Sequence, residues 1–275
     1  IVGIPFDGGA SYRAGTRFGP RKIRELSVLL WGFNQVLKVF PTEVLKIVDY
    51  GDVGVIPVDI LATMDNITNE VKNILDEDVR VIALGGDHSI TLPLLRAHNL
   101  KYGELAVVHF DSHPDTWEWE YENQPYSHGT PFSRALEENL IDTNAYIQVG
   151  IRGSTTGPDD ITDAKEMGAK VMTIDQVFES GIPTVINEIH DIIGDRPLYV
   201  SLDIDAVDPA FAPGTGTPEV GGLSSYQILQ LVRGLQGLNI VGFDLVEVSP
   251  PYDHGDITSI LAANLAFEFM SLLAL

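Results

Sequence analysis

The sequence contains no cysteine, which excludes a disulfide framework and any thiolate-ligated metal. It is also poor in positive charge: 17 Lys and Arg stand against 39 Asp and Glu, a formal net charge of −22. Nucleic acids and anionic membrane surfaces need basic patches, so neither is expected as a partner. A cationic ligand, bound metal ions or plain solubility would each fit such a balance. Long apolar runs are missing too. The most apolar stretch, Ile257 to Leu275, is interrupted by Asn264 and Glu268 and reads as a packed helix, not a membrane span. No signal peptide is visible, and a chain opening on Ile1 in mid-strand is expected to lack some N-terminal residues. A soluble cytoplasmic protein is the resulting expectation. Repeats, low-complexity tracts and linkers are absent, so residues 1–275 are expected to form one domain.

What is present is an alternation of short apolar runs and helical patterns. The runs Ile1–Ile4, Leu45–Tyr50, Val79–Leu84, Leu105–Phe110, Ala145–Gly150, Ala169–Thr173, Leu198–Leu202 and Ile240–Phe243 are the expected strands. Most are continuous Val/Ile/Leu stretches, as in strands covered on both faces. A helix is expected after Gly19-Pro20, with Ile23, Leu26 and Leu30 on one face. Another is expected over 58–75, with Met64, Ile67, Val71 and Ile74 at helical spacing. Ser224 reads as the N-cap of a third. The alternation implies an α/β fold of three layers, α/β/α, around a mostly parallel, roughly eight-stranded sheet.

In such sheets ligands bind beyond the carboxyl ends of the strands. Four runs end in polar clusters there: GGDHS at 85–89, DSHPD at 111–115, DIDAVDP at 203–209, and Glu247. One Asp after a strand is usually a turn former; four clusters on one edge are a site. His88, Asp111, His113, Asp115, Asp203 and Asp205 make an oxygen-rich donor set with two imidazoles. Four carboxylates are too many for one divalent ion but balance two, and the donor types favour Mn²⁺. Structural Ca²⁺ is disfavoured because it seldom recruits imidazoles. Two such ions can lower the pKa of a shared water enough to furnish hydroxide near neutral pH.

GGDHS, DSHPD and SLDIDAVDP at 201–209 resemble the three metal signatures of the ureohydrolase family of arginases and agmatinases. The likeness runs from Gly3-Ile4-Pro5-Phe6-Asp7 to the C-terminal helix, and agmatinases match best. It implies an arginase-like fold, two Mn²⁺ per subunit, hydrolysis of a guanidino group to urea and an amine, and a homo-trimer or hexamer. It further implies that His88, Asp111, Asp115 and Asp203 hold one ion. Asp111, His113, Asp203 and Asp205 would hold the other, with Asp111 and Asp203 bridging. Where the family usually has Ala, this chain has Ser112, whose side chain is expected to point away from the ligand side of an extended segment.

Asp115 would carry a proton from the nucleophile to the leaving nitrogen, and His128 in SHGTPF matches the family's proton-shuttling imidazole. Cations repel a guanidinium, so a carboxylate must orient it, and Glu247 is the candidate. His98 and His190 are expected to be surface or packing residues, and His254 a turn residue. His109 is read as a core residue with some chance of partnering a carboxylate. The loop TWEWEYENQPY at 116–126 carries three glutamates and several rings, which suit a cation and repel an α-carboxylate. The expected substrate is therefore agmatine, yielding putrescine; guanidinobutyrate or arginine are the alternatives within the family. A two-metal phosphoesterase and a non-catalytic polyamine-binding protein are the alternatives outside it.

Overall fold

The computed structural model describes residues 1–275. Eight strands form one sheet: β1 (Val2–Ile4), β2 (Gly51–Asp52), β3 (Val81–Gly85), β4 (Leu105–Phe110), β5 (Ile141–Ile151), β6 (Lys170–Thr173), β7 (Leu198–Asp203) and β8 (Ile240–Val246). Their order is β2-β1-β3-β8-β7-β4-β5-β6, and every pairing is parallel. Parallel neighbours need long crossovers, and ten helices flank the sheet. They are α1 (Gly19–Ser27), α2 (Pro41–Val44), α3 (Ile60–Asp76), α4 (Thr91–Tyr102), α5 (Pro131–Glu137), α6 (Asp160–Glu166), α7 (Ile174–Ser180), α8 (Ile182–Ile193), α9 (Ser225–Arg233) and α10 (Ile257–Leu273).

The continuous apolar strands bury both faces, and each face builds its own core. Ile82, Leu84, Val108, Val200 and Phe243 pack with residues of α7 to α10. Val81, Ala83, Val107 and Tyr199 pack with α3 and α4. Adjacent strand residues therefore go to opposite layers, as the pleat requires. In α3, Met64, Ile67, Val71 and Leu75 are buried at helical spacing. Each such aliphatic side chain contributes about 1.5–3 kcal/mol on burial. Asp59 starts that helix by accepting from Ala62 N at 3.0 Å, and Ser224 starts α9 in a capping box with Gln227. The polar interruption of α10 has a partner: buried Glu268 accepts from Arg233 at 2.5 Å and from Asn34 at 3.0 Å. No helix is long and apolar enough to cross a membrane.

One expected strand is displaced. The run Leu45–Tyr50 is irregular, and β1 pairs instead with Gly51 and Asp52. The end of the run still bonds the start of the chain, with Ile1 N donating to Val48 O at 2.7 Å and Tyr50 N to Ile1 O at 2.9 Å, but its side chains line an apolar hollow at the sheet's edge.

Candidate metal centre

Four neighbouring strands, β3, β8, β7 and β4, deliver the site at their carboxyl ends. Beyond β3 the backbone of Gly86 lies against β1: its N–H donates to Ile4 O at 3.0 Å, and a Cβ there would collide with the carbonyls of Ile4 and Phe6. Asp87 then caps a short 3₁₀ turn through Ser89 N at 3.0 Å. Its other oxygen accepts from Gly9 N at 2.7 Å, drawing the loop after β1 over the site.

This turn presents His88, fully buried. Its Nδ1 lies 3.1 Å from Asp111 Oδ2, 3.0 Å from Asp115 Oδ2 and 3.3 Å from Asp203 Oδ2, yet it has no hydrogen-bond partner. A second group follows, with His113 Nδ1 3.1 Å from Asp205 Oδ2 and 3.5 Å from Asp111 Oδ1. Asp111 faces both groups, one oxygen to each. The other oxygen of Asp203 accepts from Asp205 N at 2.8 Å. Ligand atoms about 2.1 Å from one ion at octahedral angles lie about 3 Å apart; Asp111, His113 and Asp205 meet that spacing mutually, while around His88 it is the distances to Nδ1 that are of this order.

The electrostatics agree. Burial, reinforced by Asp205 and Asp111, pushes Asp203 well above the usual carboxylate range. Burial and the Asp111 charge lift Asp115 to about 7. Burial opposes protonation of His88 and His113, but the surrounding carboxylates raise both well above the ordinary imidazole value. The pocket demands positive charge, whether as protons on its rings or as cations between its oxygens.

A polar row one step behind the ligands fixes them. His109, Ser201 and Asp244 are aligned across β4, β7 and β8. His88 Nε2 lies 2.9 Å from Ser201 Oγ, and Ser201 donates to Asp244 Oδ1 at 2.7 Å. Asp244 also accepts from Tyr199 OH at 2.7 Å and Thr91 Oγ1 at 2.9 Å. With Nε2 donating to this chain, the lone pair of His88 stays on Nδ1, toward the carboxylates. His109 is buried beneath Phe132, and its Nε2 meets Asp111 Oδ2 at 2.7 Å. It is thus both a core residue and a carboxylate partner. Arg152 donates to the carbonyls of Asp205 and Ala206 at 2.7 and 3.2 Å. Sequence reading assigned no role to Ser201, Asp244 or Arg152. For Ser201 and Asp244 the available signal is a polar residue inside an otherwise apolar strand; Arg152 follows β5 and offers none.

Beside the metal groups stands a second constellation. Glu247 closes β8 with a positive φ of 61°, and Asp115 has φ 48°. Non-glycine residues in that region carry strain that clusters at functional sites. Glu247 Oε1 accepts from His88 N at 2.9 Å and meets His128 Nδ1 at 2.9 Å. Its Oε2 is buried and has no partner. His128 Nε2 lies 2.7 Å from Ser11 Oγ, 3.1 Å from Ser11 N and 3.5 Å from Glu120 Oε1. Burial disfavours the charged ring, but Glu247 and Glu120 outweigh it and raise His128 well above its ordinary value.

The sequence expectation for Ser112 is overturned. Its hydroxyl does not point away; it donates to Asp205 Oδ1 at 2.7 Å. Chain extension stops at Phe110, and the segment bends, with His113 N donating to Asp111 Oδ1 at 2.6 Å, so alternation no longer governs side-chain direction. In the loop 116–126, Glu120 turns inward to accept from Gly129 N at 3.2 Å, whereas Glu118 and Glu122 are exposed. Trp117 is tied to Asp160 at 2.8 Å. Among the remaining imidazoles, His98 is fully buried against Tyr199, His190 bonds Gly234 O at 2.7 Å, and His254 is an exposed turn residue.

Residues 1–272 match the model of the arginase family. The chain is 44% identical over 274 residues to guanidinopropionase of Pseudomonas aeruginosa, covering 100% of this chain and 86% of that protein. It is 43% identical to an agmatinase of Citrobacter koseri, covering 98% of this chain and 85% of the relative. The solved structure of proclavaminate amidino hydrolase from Streptomyces clavuligerus superposes with a TM-score of 0.94 at 44% identity, over 99% of this chain and 90% of that one. With its parallel eight-stranded sheet and its acids and imidazoles gathered at one edge, the chain belongs to the arginase family.

Proposed function

We propose that this arginase-family amidinohydrolase cleaves the guanidino group of agmatine, releasing urea and putrescine, with two Mn²⁺ held by the ligands above. The observation that carries the guanidino reading is Glu247 Oε2, a buried carboxylate oxygen without a partner. Such an atom is costly unless a donor arrives, and a planar guanidinium supplies one with charge. Bound cations would polarise the substrate and lower the pKa of water at the site. Glu247 would orient the substrate carbon toward the ligand cluster, its other oxygen being fixed by His88 N and His128. Asp115, facing His88 Nδ1 at 3.0 Å, would accept the proton of the attacking water and deliver it to the leaving nitrogen. His128 would exchange protons with the departing amine. The phosphoester reading has no support, because Arg152, the cation beside Asp205, spends its N–H groups on main-chain carbonyls.

Agmatine is favoured over arginine by Glu120, an inward carboxylate next to His128, in a loop without Lys or Arg. A second reading, an ω-guanidino acid such as guanidinobutyrate, is favoured by Arg13. Its backbone carbonyl and Glu247 Oε2 both pack on Gly216, and its guanidinium lies over the Tyr252 ring at 4.9 Å. The test is urea release after Mn²⁺ reconstitution, with agmatine, guanidinobutyrate and arginine in parallel. The highest kcat/KM is expected for agmatine. A preference for guanidinobutyrate would select the second reading, and no urea from any of the three would overturn both.

A further inference from the structure

Ser112, in the middle of the ligand segment, is fully buried. Two of its donors converge on one atom: Oγ reaches Asp205 Oδ1 at 2.7 Å and the backbone N–H reaches the same oxygen at 3.1 Å. The main chain on either side of this contact is held. Ser112 O accepts from Arg152 N at 2.8 Å, Asp205 N donates to Asp203 Oδ1 at 2.8 Å, and Asp205 O accepts from Arg152 at 2.7 Å. Asp205 is thereby pinned at its backbone and at Oδ1. Its Oδ2 is left turned to His113 Nδ1 at 3.1 Å, with only the Thr217 hydroxyl nearby at 3.4 Å.

The Ser112 hydroxyl has a competing acceptor in His113 Nδ1, at 3.1 Å. Donation there would occupy the lone pair that a cation needs. The carboxylate is both closer and ionised, and charge-assisted hydrogen bonds are roughly twice as strong as neutral ones, so the proton goes to Asp205.

We propose that Ser112 is a positioning residue for one half of the metal centre: by holding Asp205 Oδ1 it aims Oδ2 at the pocket shared with His113, and it raises the affinity of that pocket alone. The proposal rests on the two-cation reading above. Residues that hydrogen-bond to metal ligands typically govern affinity by about 10–100-fold. The backbone donor to Oδ1 survives in a Ser112→Ala variant, which places the expected loss at the lower end, about tenfold. His88 and Asp115 do not touch Ser112, so the other cation is expected to bind as before.

The test is titration of metal-free wild type and S112A with Mn²⁺. Calorimetry gives the stepwise affinities, and electron paramagnetic resonance separates isolated Mn²⁺ from the exchange-coupled pair. Thermal melts of the metal-free proteins accompany the titration. Two sites are expected in wild type. In S112A one affinity is retained and the other falls about tenfold, the coupled signal appearing only at higher Mn²⁺, with equal melts of the metal-free chains. Unchanged affinities at both sites would overturn the proposal. Loss of both together, or a metal-free S112A that melts early or fails to fold, would overturn it in favour of a general packing role. Wild type that binds fewer than two Mn²⁺ would remove the two-cation reading itself, and Ser112's role with it.

Discussion

The two edges of the sheet use their residues in opposite ways. At the carboxyl edge, buried acids and imidazoles face one another at about hydrogen-bonding range, and two of them, Asp115 and Glu247, hold strained backbones. At the amino edge lies an apolar cavity of about 620 Å³, lined by Val48, Val79, Leu235, Leu238, Ile240 and Leu273 among others. The cavity is lined mostly by apolar side chains, with Lys46, Glu77 and Arg80 among them; the centre is built from buried acids and imidazoles. A large apolar pocket is the usual first guess for a binding site, but the convergent polar groups lie at the other edge. Unpaired polar atoms, Glu247 Oε2 and His88 Nδ1 above all, mark the chemistry instead.

This contrast can be broken by experiment, and the largest effect is expected where both metal groups share a residue. Asp111→Asn should cut urea release by about 10³-fold, since each cation contributes several kcal/mol of charge stabilisation. Retained turnover would show that Asp111 does not serve both groups.

The buried imidazoles give the next largest effect. His98 has no acidic partner, and burial first, then Arg80 and Lys101, lowers it to about 4, whereas carboxylates raise His88. The folded value of His98 lies below the ordinary 6.5, so the unfolded chain binds the extra proton. Its effect on stability is therefore absent above pH 6.5 and grows as the pH falls toward 4. At about 1.4 kcal/mol per pH unit, the gap amounts to about 3 kcal/mol. Denaturant titrations should show stability falling more steeply from pH 6.5 toward 4 in wild type than in His98→Gln; equal slopes would refute it.

Glu247→Gln should lower kcat/KM by roughly 30-fold, a charged hydrogen bond being worth about 2 kcal/mol, while Mn²⁺ content stays at the wild-type level. Unchanged kcat/KM would remove Glu247 from substrate binding. The smallest effect on catalysis, none, is expected at the opposite edge. Leu235→Ala should cost about 2 kcal/mol of stability and leave kcat/KM alone; a drop in kcat/KM would mean that the two edges are coupled.

The gathering of acids and imidazoles at strand ends is readable because buried parallel strands are long apolar runs that stop abruptly at polar residues. His88, Asp111, His113, Asp115, Asp203 and Asp205 are brought together on that basis alone. Ser112 was misread because alternation holds only while the chain is extended, and it bends after Phe110. Ser201 and Asp244 were not found, because their roles arise from register between strands 43 residues apart. The run Leu45–Tyr50 looked like a strand because an apolar segment lining a hollow carries the same signal as one in a sheet. The loop 116–126 was read by its summed charge, but the fold turns only Glu120 inward.

The strand order has a consequence for how the protein comes into being. The residues facing His88 arrive from β4 and β7, and β8 must slot between β3 and β7 before they can meet. His88, Asp111, His113 and Asp115 lie within 28 residues of one another, but Asp203 and Asp205 come from β7, which reaches β3 only through β8, so the centre is complete only once the C-terminal strand is in place. Closing such long loops makes for slow folding, and until β8 docks, His88 on β3 stays apart from the acids of β4 and β7. If the centre binds cations as proposed, their full affinity would report completion of the sheet, and Mn²⁺ added during refolding should stabilise the final species most.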